Sequence, residues 1–290
     1  MIPVVIFHTN NNNDYFINCV NINSKTNKVY VIGDDSNKDT FTNNSNVEHI
    51  HINDLGSSDV IDFKDVFQNY SGNSYDYELY CFLRVFYLKQ FFLLKKQYAK
   101  VFHLDSDCVI FDDINNIFTN ESNIAYYIQK FHNESNKFHM VGSIHTALLN
   151  MHFCDKFIEL CFDIYKHKTK LYLIYPKIEW HQTNYIRGGI CDMTLYYLLY
   201  SEKLIENIAD LSELLYINKE HVVFDSHIHG GYGFNGENTF QLENGIKKIF
   251  QKINDTKNKY YLTENNTLIR AISAHCQGNS KHLLNGNIFK

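Results

Sequence analysis

The chain has 290 residues, 44% apolar and 20% charged, enough to bury a sizeable core in one large domain or two small ones. A net charge of −5 and a pI near 6.3 leave no basic footprint, which argues against a nucleic-acid or anionic-membrane partner. The start, MIPVVIFHTN, lacks a basic n-region, and no uncharged run approaches the roughly 18 residues of a membrane span, so a soluble, cytoplasmic protein is expected.

In chain order, 3-PVVIFHT-9 is a short apolar run fit for a strand buried on both faces. An Asn tract, 10-NNNN-13, follows; with only two prolines in the chain, the bias towards Asn, Ile and Lys is read as that of an AT-rich genome and the tract as compositional noise in a loop. Residues 14–25 suit a helix after an Asn or Asp cap. The runs 28-KVYVIGDD-35 and 47-VEHIHINDL-55 read as strands, and 75–97 as a long helix that is apolar nearly all round. Then comes 99-AKVFHLDSDCVIFDD-113, a strand ending in two carboxylates one residue apart.

That alternation of strand and helix is the pattern of a parallel α/β sheet. Such sheets bind ligands beyond the carboxyl ends of their strands. His8 and Thr9, Asp34, and Asp105 with Asp107 all fall at such ends. Further on, 143–151 reads as a strand and 153–168 as an amphipathic helix. The segment around Pro176, Trp180 and His181 reads as an acceptor-side loop, and 188-GGICDMTLYYLLYSEK-203 as a Gly-Gly turn entering a helix. The stretch 223–238, holding His227 and His229, is taken as a Gly-rich acceptor-side loop rather than a metal site. Residues 246–253 and 259–275 make a hairpin-like pair. No internal repeat or linker divides the chain. The seven cysteines, an odd number with no C-x-x-C pair, are expected to be buried free thiols in a reducing compartment, where N-x-S/T sites have no role.

Two carboxylates at the end of an apolar strand are costly unless paired or bound to a metal. With Ser106 between them, 105-DSD-107 followed by the apolar run Cys108–Phe111 resembles the D-x-D edge of GT-A fold, nucleotide-sugar-dependent glycosyltransferases. The stretch 275-HCQGNSK-281 is similar to the C-terminal H-x-x-G-x-x-K element of their glycogenin-like, galactosyltransferase-like branch, although His282-Leu283 stands where Pro-Trp is common. The resemblance implies an α/β, Rossmann-like mixed and mainly parallel sheet flanked by helices, in a single domain with two lobes. Residues 1–112 would bind the nucleotide sugar, and 113–290 would supply the acceptor side and the C-terminal motif.

It further implies Mn²⁺ or Mg²⁺ on Asp105, Asp107 and His275, since a departing diphosphate needs a cation and hard ions take oxygen ligands. Ser106, Gly278 and Lys281 would meet the ribose and diphosphate, and Arg84 the donor. His8, Thr9 and Asp34 would face the base and ribose. Asp192 resembles the first Asp of the family's D-Q-D element, whose second Asp is Thr194 here, and is the candidate catalytic carboxylate. The implied activity is transfer of a hexose, from a UDP-sugar by family habit, to a glycan, protein or small-molecule hydroxyl.

Two alternatives stand beside it. In the first, 105-DSDCV-109 resembles the first motif of haloacid-dehalogenase-like phosphatases, with Asp105 as nucleophile and Asp107 as general acid; its acidic partner, 33-GDDSNKD-39, lies upstream rather than downstream. In the second, the chain is a sugar-binding domain without chemistry.

Overall fold

The computed structural model describes residues 1–129, 138–186, 188–230, 239–252, 255–286 and 289. Its centre is a seven-stranded sheet. In chain order these strands are β1 (Val4–Phe7), β2 (Val29–Gly33), β3 (Val47–His51), β4 (Lys100–Leu104), then, past β5 (Cys108–Ile110), β6 (Ala125–Ile128), β7 (Gly142–Asn150) and β8 (Ala209–Asp210). The spatial order is β3-β2-β1-β4-β7-β6-β8. Every pairing is parallel except the two made by β7, which runs against β4 and β6. The mainly parallel α/β sheet expected from the sequence is the one found.

Helices cover both faces: α1 (Asp14–Asn23), α2 (Ser58–Val66), α3 (Tyr75–Leu94), α4 (Met151–Tyr165), α5 (Tyr175–Thr183) and α6 (Asp192–Ser201). Side chains alternate across the strands. Val5 and Phe7 of β1, Tyr30 and Ile32 of β2 and Val101 of β4 join a core with α2, α3, α4 and α6. Their neighbours Val4, Ile6, Val29, Val31, Phe102 and Leu104 join a second core with α1 and β5. Strands buried on both faces must read as continuous apolar runs, and these do.

A five-stranded sheet is built from β9 (Leu215–Ile217), β10 (Glu220–Val223), β13 (Ile249–Lys252), β14 (Asp255–Leu262) and β15 (Leu268–Ala271), after the small hairpin β11 (Leu242–Glu243) and β12 (Ile246–Lys247). The hairpin expected near 246–275 is β13–β14, extended by β15. The run after the D-x-D, β5, does not join the main sheet. It pairs antiparallel with β16 (Ser273–His275), setting Cys108 opposite His275.

The structure departs from the sequence reading in two places. The segment around Pro176 and Trp180 is helix α5, not a loop; Pro at the first helical turn costs no hydrogen bond because that N–H has no intrahelical partner. Helix α2 is not among the expected elements: its nine residues bury only Val60 and Phe63, a single turn of apolar spacing and too short a pattern to mark a helix. His227 and His229 lie outside any strand, and 231–238 fall outside the described residues.

Candidate active site

One cavity of about 670 Å³ opens at the carboxyl ends of β1 and β4, beside the N-terminus of α6. Asp105 continues the face of β4 that carries Val101 and His103, so its side chain turns towards α3. There Arg84 meets it: Nη1 donates to Asp105 Oδ1 at 2.7 Å, and Nη2 to Asp192 Oδ2 at 2.9 Å. Burial opposes ionisation of Asp105, but Arg84, with smaller help from His103 and His275, holds its carboxyl down to about 2. Asp192 is the first residue of α6. Its Oδ1 accepts from the Met193 N–H (2.9 Å), where an acid is favoured by the helix dipole.

The chain turns sharply after Asp105, with the Cys108 N–H donating to the Asp105 carbonyl (3.0 Å), and this sends Asp107 to the other side. Asp107 Oδ1 lies 3.4 Å from His275 Nε2 and its Oδ2 lies 3.3 Å from Lys281 Nζ. His275 is placed by the β5–β16 pairing and by the Cys276 N–H, which donates to the Asp107 carbonyl. Its Nδ1–H donates to the Ser226 carbonyl (2.7 Å), which orients the ring and turns Nε2 towards Asp107. Burial lowers the proton affinity of His275, yet Asp107 and Asp105 outweigh it and raise the pKa above 6.5.

The donor set fits a divalent ion. Asp105, Asp107 and Asp192 outnumber the fixed cations among them, Arg84 and Lys281, an excess of negative charge that a cation offsets. Carboxylate oxygen suits Mg²⁺ and Mn²⁺, and imidazole suits first-row transition ions, so Asp107 and His275 can serve a divalent ion together. The ligand atoms of Asp107, Cys108 and His275 lie within 4.8 Å of one another. Burial, followed by the charge of Asp107, pushes the Cys108 thiol well up, so it stays a neutral thiol and a poor partner for a hard ion. Asp105, expected as the third ligand, gives Oδ1 to Arg84.

At the β1 end, His8 stacks on Phe16 with ring centres 3.9 Å apart. Its Nε2–H donates to Asn11 Oδ1 (2.7 Å), leaving Nδ1 to accept from the Ser106 hydroxyl (3.0 Å). Thr9, Ser106, Gly278 and Lys281 also line the cavity. Gly278 holds φ +60, and a Cβ there would meet nothing within 4 Å, so its backbone is open to a ligand. Asp34 is not among the described lining residues. It accepts the Asn10 N–H (2.7 Å) and the Ser36 N–H (2.9 Å), shaping the loop that bears Asn10 and Asn11.

Other lining residues were not singled out in the sequence. Asn10 and Asn11, read as noise in an Asn tract, sit on the cavity. Glu78, Tyr80 and Tyr196 lie in apolar helices where nothing in the pattern marks them, although a glutamate two turns before an arginine on a buried helix was a usable signal. His145 stacks on His275, with ring centres 4.6 Å apart. The Gly188-Gly189 turn holds φ +149 and +142; a Cβ on Gly189 would come 1.9 Å from the Tyr70 carbonyl, which accepts the Ile190 N–H at 3.1 Å. His181 lines a smaller cavity of about 270 Å³ on the far side of that turn.

No protein-family model and no curated protein sequence matches this chain. Solved structures that it resembles include mouse xyloside xylosyltransferase 1, with a TM-score of 0.46 and 12% identity over 73% of this chain and 86% of that one. Another is the galactosyltransferase LgtC in complex with donor and acceptor sugar analogues, with a TM-score of 0.42 and 12% identity over 72% and 73%. A third is the glycosyltransferase GlyE of Streptococcus pneumoniae TIGR4, with a TM-score of 0.36 and 14% identity over 72% and 45%. All three TM-scores lie below 0.5, so these are partial superpositions.

Proposed function

We propose that the chain is a metal-dependent glycosyltransferase that moves a sugar from a nucleoside diphosphate, UDP by preference, to a hydroxyl acceptor. The observation that carries this reading is the meeting of Asp107, His275 and Lys281 at one end of a cavity whose other end holds Arg84 between Asp105 and Asp192. Residues 1–112 would supply the nucleotide side, and 113–290 the acceptor side and His275.

Asp107 and His275, with Asp105, would hold Mn²⁺ or Mg²⁺, which supplies positive charge for the departing diphosphate. Lys281 adds a second positive charge, and the open backbone at Gly278 lets phosphate oxygens approach. His8 and Ser106, locked together by their hydrogen bond, orient the nucleoside beside Thr9. Asp192, fixed by Arg84, places negative charge next to the transferred sugar, where positive charge develops as the glycosidic bond breaks. A carboxylate held in an ion pair suits this role better than that of a free base, which favours retention of configuration.

The phosphatase alternative needs an acidic partner downstream of Asp105, whereas its match, 33–39, lies upstream and Asp34 there is held by the Asn10 loop. All seven cysteines are free thiols and six are buried, which supports a reducing compartment. No helix among the described residues is long and apolar enough to cross a membrane.

Calorimetric titration with UDP, in Mn²⁺ and then in EDTA, on wild type and Asp107→Ala tests the reading. Binding that needs both the ion and Asp107 supports it; UDP, GDP and dTDP all failing to bind in Mn²⁺ overturns it.

A further inference from the structure

Beyond Arg84 the cavity wall carries hydrogen-bonding groups that the protein itself leaves unmet. Glu78 lies on α3, six residues and therefore roughly 9 Å of helix before Arg84, and is 1% exposed. Its Oε1 accepts from Ser71 Oγ at 3.0 Å and from Asn73 Nδ2 at 2.6 Å, while Oε2 is buried with no partner. Tyr196, one turn after Asp192 on α6, likewise keeps a buried hydroxyl with no partner. An unmet buried polar group costs about 1–3 kcal/mol, and more when charged, so two on one cavity wall call for a ligand. A carboxylate oxygen only accepts, whereas a phenol donates and accepts; a hydroxyl-bearing ligand satisfies both. Asn73, which holds Oε1, is exposed at the cavity mouth, a surface side chain that can yield to a ligand.

Charge narrows the ligand further. The charge of Arg84 is already matched by two ion pairs, to Asp105 and Asp192, and its Nε–H donates to the Cys81 carbonyl. Lys281 lies against Asp107, and the buried Lys177 donates to Thr194 Oγ1 (2.8 Å) and to the His139 carbonyl (2.5 Å). Among the described residues, no cation at this end is left for a carboxylate on the sugar, while Glu78 and Asp192 would repel one.

We propose that this wall binds a neutral sugar ring, and that Glu78 determines specificity by accepting a hydrogen bond from one of its hydroxyls. The proposal rests on the nucleotide-sugar reading above. The hydroxyl belongs either to the transferred sugar or to a sugar acceptor, and the experiment separates the two.

With Mn²⁺, wild type and Glu78→Gln are compared for UDP affinity, for hydrolysis of UDP-glucose, UDP-galactose, UDP-xylose and UDP-glucuronate without acceptor, and for transfer to a panel of mono- and disaccharides. Gln keeps the oxygen that Ser71 and Asn73 hold and replaces the unmet acceptor with a donor. The expected results are unchanged UDP affinity, a neutral sugar preferred at least about 10-fold over glucuronate by wild type, and a loss of about 10- to 100-fold in kcat/KM in the variant. A loss already seen in hydrolysis assigns the hydroxyl to the transferred sugar; a loss seen only in transfer assigns it to the acceptor. The proposal is overturned by a variant that matches wild type on every sugar or, where the loss is already seen in hydrolysis, by a wild-type preference for glucuronate. If wild type fails to bind UDP at all, the parent reading fails and this one with it. Should Glu78→Gln fold poorly, Glu78→Asp, which keeps the charge but withdraws the oxygen, is read in the same assays and must show the same selective loss.

Discussion

Arg84 and Asp192 lie 108 residues apart in the chain and meet at 2.9 Å, with the same guanidinium holding Asp105 at 2.7 Å. Buried pairs of this kind contribute little over an apolar substitute, but breaking one leaves charge stranded. Arg84→Ala is expected to lower stability by about 3–5 kcal/mol in urea unfolding, because two carboxylates lose their partner. Arg84→Lys should recover part of this and still lose turnover, since an ammonium cannot reproduce the planar fork that spans both acids. Equal stability of all three proteins would show the bridge to be incidental.

The metal end makes a prediction about ion choice. Zn²⁺ favours sulfur and nitrogen, and Asp107, Cys108 and His275 offer it a complete corner. Zn²⁺ should therefore inhibit an Mn²⁺-supported reaction at lower concentration than Ca²⁺ does. Cys108→Ser should relieve that inhibition and leave Mn²⁺ activation within about twofold, because a hard ion does not need the thiol. Competition assays with each ion decide it; inhibition untouched in the variant would place zinc elsewhere.

Stability should fall with acid in a window set by a buried histidine. Burial pushes His103 down to about 4, with its Nδ1–H donating to the Ile144 carbonyl at 2.6 Å. The unfolded chain takes up this proton near pH 6.5 and the folded protein only near 4. Its contribution is thus complete above pH 6.5 and is lost as pH falls through that interval, by about 1.4 kcal/mol per unit at most. His103→Asn, which keeps a donor for Ile144, should flatten the stability profile between pH 6.5 and 4 in denaturant titrations. An unchanged slope would show that His103 is solvated.

Two glycines should fail in different ways. Gly189→Ala strains φ +142 and drives a Cβ into the Tyr70 carbonyl, so stability should fall by about 1–3 kcal/mol and turnover with it. Gly278→Ala meets no atom within 4 Å and should cost only about 1 kcal/mol for its left-handed backbone. Its methyl should nevertheless weaken UDP binding about 10-fold by occupying the phosphate approach. Melting temperature and UDP titration on the two variants separate these effects; identical behaviour in both assays would refute the distinction.

The sequence by itself determined the class of fold and where to look. Strands buried on both faces must be apolar throughout, so β1, β2 and β4 announce themselves, and Asp105 and Asp107 stand out because carboxylates are foreign to such runs. It could not show which partner each would meet. Alternation along β4 sends Asp105 to Arg84, while the turn after it sends Asp107 to His275, and only packed helices and paired strands define those destinations. The β5–β16 pairing joins residues more than 160 positions apart by backbone hydrogen bonds, which carry no side-chain signature. Glu78 shows the same limit. On an apolar helix it reads as a stray surface charge, and only the loop from Ser71 to Asn73 folding over it makes it a buried, half-satisfied carboxylate, because burial is a property of what surrounds a residue and not of the residue itself.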